Sequence, residues 1–258
     1  MRQTARKRAG RAPDARMPLR EHLTELRNRL FLSLAGVVVG AVIGWFLFSP
    51  AFEALQRPLL DVAERQNALV SVNFAGLATA LDMQFKVAFF LGLILSSPWW
   101  LYQFWAYVAP GLTGKEKRYT VGFVAAAVPL FLGGIGAGWL VFPHAVQILT
   151  EFRPDGTQQL LDAEMYLTFA MRLLVAFGLA FVFPVVMVAL TWAGIVPWTA
   201  WLKAWRWAVL LIFVFAAVMT PTPDAITMIA MAIPMCGLYF GAIGIGALRA
   251  KRRVKDDE

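Results

Sequence analysis

Residues 166–193 read Tyr-Leu-Thr-Phe-Ala-Met-Arg-Leu-Leu-Val-Ala-Phe-Gly-Leu-Ala-Phe-Val-Phe-Pro-Val-Val-Met-Val-Ala-Leu-Thr-Trp-Ala. A single charge, Arg172, interrupts this run. Written as a helix it is about 42 Å long at 1.5 Å per residue, more than enough to cross a hydrocarbon core of about 30 Å. No water exists there to satisfy an open backbone, so the segment must be helical. The rest of the 258 residues agree. The chain is 59% hydrophobic and 16% charged, against about 25% charged in a soluble domain, and its mean hydropathy is +0.63.

Five further apolar runs flank this one. The expected spans are 30–48, 81–105, 119–142, 166–193, 207–219 and 225–248, preceded by a short amphipathic helix over 18–30 with Leu19, Leu23, Leu26 and Leu30 on one stripe. Loops 49–80 and 143–165 are polar. The charges are distributed unevenly. Of the Lys and Arg residues nine fall in 1–29, three in 106–118, two in 194–206 and five in 249–258, while the intervening loops hold only Arg57, Arg65 and Arg153. Cytoplasmic loops carry such an excess, so both termini are expected inside and the number of spans even. The fold class is therefore an all-α membrane protein of six transmembrane helices, N-in and C-in, in a kinked concave bundle with short fifth and sixth helices. Residues 1–16 are expected as a disordered basic tail, 17–248 as the membrane domain and 249–258 as a charged cytoplasmic tail. The fifth span, at about 21 Å, is too short for an unperturbed bilayer.

The net charge of +8 could suggest nucleic acid, but its position beside membrane spans argues against that partner. Gly36, Gly40 and Gly44, Gly134 and Gly138, and Gly237 and Gly241 recur at spacings of four, as helix packing in lipid requires. Pro98, Pro129, Pro184 and Pro234 are expected to kink their spans. Trp99, Trp100, Trp105, Trp198, Trp201 and Trp207 are expected as interfacial anchors, and the lone Cys236 as a small core residue. Lys86 and Arg172 are expected to snorkel towards the outer side.

The stretch His22-Leu23-Thr24-Glu25-Leu26-Arg27-Asn28-Arg29-Leu30 resembles the HLxELRxRL signature that opens TatC proteins. The run Leu101-Tyr102-Gln103-Phe104-Trp105-Ala106-Tyr107-Val108-Ala109-Pro110-Gly111-Leu112, followed by Lys115-Glu116-Lys117-Arg118, is similar to their first cytoplasmic loop. Phe142-Pro143, Phe177-Gly178 with Pro184, and Thr220-Pro221 with Asp224 and Ala232-Ile233-Pro234-Met235 complete the match in order, over roughly 17–248. The resemblance implies the core subunit of the twin-arginine (Tat) system in the bacterial cytoplasmic membrane. Such a subunit binds twin-arginine signal peptides of folded cargo and works with single-span TatA and TatB-like subunits under the proton-motive force. Other copies of the chain and the phospholipid bilayer are further expected partners. It implies Glu25 and Glu116 as the carboxylates that meet the two arginines, with His22, Arg27, Arg29 and Leu112 around them. Pro58, Thr220, Pro221 and Asp224 are implied as partner contacts or structural positions. Val182 and Met228 stand where family members often carry Glu and Gln.

Without the resemblance, the residues support plainer roles. Glu25 and Arg29 form an i,i+4 pair worth about 0.3–0.5 kcal/mol. Glu116 reads as a solvated charge, His22 as a structural hydrogen-bonding group, Asp224 as a helix cap, and Pro58 as part of a cap helix. A six-helix secondary transporter of a small solute is the alternative function, but no internal repeat or midplane charge cluster supports it. With two His and one Cys no metal-ligand spacing occurs, and no catalytic motif is present, so the expectation is a non-enzyme without cofactor or metal.

Overall fold

A computed structural model describes residues 19–65, 70–73, 76, 78–108, 117–151, 159–192, 196–219 and 225–256. The tail 1–16 and the turn 220–224 lie outside them. The described helices are α1 (Leu19–Phe46), α2 (Phe48–Arg65), α3 (Thr79–Leu95), α4 (Ser97–Val108), α5 (Lys117–Glu151), α6 (Ala163–Trp192), α7 (Trp198–Lys203), α8 (Trp205–Met219) and α9 (Ala225–Asp256). Four of them, α1, α5, α6 and α9, contain segments long and apolar enough to cross a membrane. The pair α3 and α4 makes a fifth if its bend of 63° falls within one span. The apolar α8 has 15 residues, roughly 22 Å of helix.

Several expectations change in detail. The amphipathic helix 18–30 and the first span are one continuous helix, α1. Its leucine stripe faces outward: Leu23, Leu26 and Leu30 are exposed, while His22, Glu25 and Arg29 are partly covered by protein. In a bilayer this polarity is sensible, because lipid solvates leucine and a neighbouring helix solvates charge. The second span breaks at Ser96, whose hydroxyl donates to Gly92 O at 2.7 Å. Pro98 then sits in the first turn of α4, where its missing N–H leaves no bond unmade. The third span continues through Pro143 to Glu151 rather than ending at Phe142. The sixth helix is long, not short, because α9 carries its apolar segment Met231–Leu248 onward into the basic residues as far as Asp256.

The helix expected around Pro58 in loop 49–80 is α2, and the two polar loops also share a strand pairing that their sequences did not announce. α2 buries Leu55, Pro58 and Leu59. Beyond it, β1 (Val70–Asn73) pairs in parallel with β2 (Gln159–Asp162), Val70 opposite Gln159 and Asn73 opposite Asp162. Asp162 then accepts from the Glu164 N–H at 2.8 Å and so caps the start of α6.

α6 is the hub of the core. Its Leu167, Ala170, Leu173, Leu174 and Phe177 are buried among residues of α2, α3, α5, α8 and α9. Close approach rests on glycine. A Cβ on Gly40 would sit 2.7 Å from Gly92 O, and one on Gly134 would sit 2.6 Å from Phe177 O. Gly237 and Gly241, by contrast, have nothing within 4 Å of such a Cβ, so that pair is not an internal packing face. Trp105 is likewise a core residue rather than an interfacial anchor: it is 1% exposed and stacks on Phe123 at 4.1 Å. Cys236 is only half-buried. Lys86 extends toward the first turns of α3 and α6, where Asp82 and Glu164 each hold its Nζ at 2.6 Å. Arg172 is exposed on α6.

The Tyr166 hydroxyl donates to Leu55 O at 2.9 Å and ties α6 to α2 in a buried setting. Tyr166→Phe leaves the folded bundle intact but lowers its stability by about 1–3 kcal/mol, the range for losing one partner of a buried hydrogen bond. Thermal unfolding in detergent, followed by size-exclusion fluorescence, measures the shift.

Candidate functional site

The first half of α1 packs against α4, and the polar residues of the opening motif meet there. One stripe of α1 carries His22, Glu25 and Arg29, which follow each other by three and four residues and therefore share a face. Arg29 grips the carboxylate of Glu25 with two donors on the same oxygen. Nε donates to Oε1 at 2.9 Å and Nη2 at 2.7 Å. The remaining arm, Nη1, donates to Gln103 Oε1 of α4 at 3.4 Å, and Gln103 is buried. One turn further along α4, Tyr107 stacks on His22 with centroids 4.7 Å apart and rings 20° from parallel. Above them the Trp99 indole donates to Leu32 O at 2.8 Å. These contacts fix α4 across α1 and hold the Glu25–Arg29 pair in one geometry.

The pair is incomplete on one side. Glu25 Oε2 is screened from solvent and has no hydrogen-bond partner among the described residues. A buried carboxylate oxygen without a donor is costly, and the carboxylate has capacity to accept further N–H groups. Arg27 is exposed. The arrangement is thus a carboxylate oriented by one internal arginine, with its second oxygen unsatisfied, beside a partly covered imidazole.

Of the other expected site residues, Glu116 and Leu112 lie outside the described residues, as do Thr220, Pro221 and Asp224. The ends of the 109–116 segment are nonetheless fixed. α4 finishes at Val108 next to the His22–Tyr107 stack, and α5 begins at Lys117, directly after Glu116. Trp105 stacked on Phe123 joins these two helices. Pro58 is buried in α2, on different elements from Glu25. Val182 is buried with Leu101, Trp105, Phe123 and Phe131, and Met228 packs on the central core, so apolar side chains fill both positions. Gln103 and Tyr107 contact the candidate residues Arg29 and His22, and reading by sequence did not single them out. Their i,i+4 spacing within the quoted aromatic run was the available signal. Among the described residues no group of three or more His, Cys, Asp or Glu could hold a metal ion.

Comparison with known proteins gives a consistent result. The family model described as Sec-independent protein translocase protein (TatC) matches residues 21–234. The TatC protein of Xylanimonas cellulosilytica is 55% identical over 246 residues, covering 95% of this chain and 89% of its own. That of Deinococcus radiodurans is 37% identical over 245 residues, covering 95% and 90%. A crystal structure of the twin-arginine translocase receptor TatC superposes with a TM-score of 0.77 at 30% identity, covering 87% of this chain and 99% of that one.

Proposed function

The chain belongs to the TatC family of Sec-independent protein translocase proteins, and from that premise we infer how it engages its substrate. It is the core subunit of twin-arginine translocation, a membrane protein that transports proteins and is not a catalyst. Signal-peptide recognition is assigned to the α1–α4 junction, with Glu25 and Glu116 as the two acids and His22, Arg27, Arg29 and Leu112 around them. The observation that carries this is the unsatisfied Glu25 Oε2. A guanidinium from an incoming peptide supplies the missing donor in a charge-assisted bond, while Arg29 holds the carboxylate in one orientation. The fixed ends of the 109–116 segment support the same location for Glu116. Two planar donor forks suit two separated carboxylates, whereas lysine offers a point charge of different geometry.

In this reading α8 is the fifth of six crossings, and both termini lie in the cytoplasm of a bacterial cell. The concentration of Lys and Arg on one set of loops supports that orientation. TatA and TatB-like single-span subunits and further copies of the chain are its partners, and Pro58, Thr220, Pro221 and Asp224 contribute to partner contact or local structure. The proton-motive force drives transport.

Photo-crosslinking tests the assignment. Probes at Glu21, one turn before Glu25 on the same stripe, and at Thr113 are expected to capture a twin-arginine signal peptide. Changing both arginines of the peptide to lysine lowers the yield by about tenfold or more, equivalent to about 1.4 kcal/mol. Equal capture of both peptides, or no capture with uptake of a small solute by proteoliposomes, rejects it.

A further inference from the structure

Far from the α1–α4 junction, α6 and the α7–α8 segment leave an apolar groove of about 440 Å³ between them. Leu179 and Phe183 of α6 face Trp207 and Leu211 of α8 across it, and Met235 and Tyr239 of α9 form its floor. One end is locked in shape by a relay of hydrogen bonds. The Tyr239 hydroxyl donates to Trp201 O at 2.5 Å, the Trp201 indole to Thr191 Oγ1 at 3.1 Å, and that hydroxyl to Met187 O at 2.9 Å. The groove is therefore built into the fold.

Two cations stand at the same end. Lys203 closes α7 and Arg206 lies in the first turn of α8, on either side of Ala204, where the backbone leaves the helical conformation (φ −85°, ψ 5°). In sequence Lys203 falls between the lining residues Trp201 and Ala204, and Arg206 between Ala204 and Trp207. The Arg206 guanidinium lies 5.6 Å from the Trp205 ring centroid. Both are exposed, and neither forms an ion pair among the described residues. Between Glu164 and Asp224 the sequence holds no acidic residue at all. The charge at this mouth is uncompensated by neighbouring sequence.

Size and setting choose the occupant. An unbranched hydrocarbon chain fits a groove of about 440 Å³ lined almost wholly by apolar side chains. The roughly 22 Å of α8 falls short of a ~30 Å core, so bilayer chains beside it must rearrange. Basic residues at a membrane surface attract anionic headgroups. We propose that this groove binds one anionic phospholipid, its acyl chain between α6 and α8 against Met235 and Tyr239, its phosphate between Lys203 and Arg206.

The test uses the full chain in phosphatidylcholine nanodiscs doped with a phosphatidylglycerol analogue bearing a diazirine in its acyl chain. Adducts mapped by mass spectrometry concentrate on Leu179, Phe183 and Leu211. Lys203→Gln and Arg206→Gln each reduce the yield by about fivefold, the factor for one cation near an anionic surface. Ala208→Phe fills the groove and abolishes the adducts. Twin-arginine peptide capture by the same samples stays unchanged, which reports that the variants are folded and separates this proposal from the peptide site. The proposal is overturned if adducts spread evenly over exposed apolar positions such as Val39 and Leu132, or if a phosphatidylcholine probe labels the groove equally well. It is also overturned if a photoreactive side chain at position 211 captures a polypeptide instead of lipid in native membranes.

Discussion

Glu25→Gln lowers the affinity for a twin-arginine peptide by about 30-fold or more, because removing one partner of a desolvated charge pair costs about 2–5 kcal/mol. Glutamine keeps the shape of glutamate and one carbonyl oxygen. It loses the negative charge, so neither Arg29 nor the incoming guanidinium has an ionic acceptor, and its amide donors face N–H groups. Glu25→Asp keeps the charge but withdraws it by one methylene, and an intermediate loss is expected. The bundle stays folded in both variants, since α1 is held by backbone contact of Gly40 with Gly92 rather than by the Glu25–Arg29 pair. Fluorescence anisotropy with a labelled peptide, alongside detergent melting curves, distinguishes lost binding from lost structure. A wild-type affinity in Glu25→Gln removes this residue from the recognition site.

Gly92→Leu destroys the fold. A Cβ at Gly92 would lie 2.6 Å from both Ala41 N and Val37 O, and backbone atoms inside a helix cannot turn aside as a flexible side chain can. α1 and α3 must separate along their shared interface, which forfeits packing over several turns. The loss is about 3 kcal/mol or more, at or beyond the upper range for overpacking, and the absence of a hydrophobic drive between helices in lipid leaves little to offset it. No monodisperse peak survives in size-exclusion chromatography. The matched control is Gly237→Ala, where nothing lies within 4 Å and a full yield of folded protein is expected.

These two glycines also mark where sequence reading runs out. The fourth span was legible from its long apolar run, broken only by Arg172, and the shortness of α8 from simple length. The spacing of Gly237 and Gly241 looks the same as that of Gly36, Gly40 and Gly44. Only the neighbours decide which pair packs, and periodicity does not encode neighbours. The break at Ser96 was hidden for a similar reason. The apolar run continues unaltered through it, and Pro98 alone does not distinguish a kink from a new helix. Trp105 has an amphipathic ring suited to either interface or core, and its stack on Phe123 depends on a helix that starts several residues later. At the proposed peptide site, Glu25 and Arg29 stood out through the motif. Gln103 and Tyr107, which anchor them from α4, did not, because their roles arise from a contact between positions 74 residues apart.

The parallel pairing of Val70–Asn73 with Gln159–Asp162 bears on how the protein is made. Its first partner leaves the ribosome long before the second, and the intervening chain must insert α3 to α5 before the two can meet. Closing a loop of that length is slow compared with forming a helix. During synthesis the early half therefore waits in the bilayer with an unpaired edge, and the nascent protein gains this brace only once translation has passed residue 162.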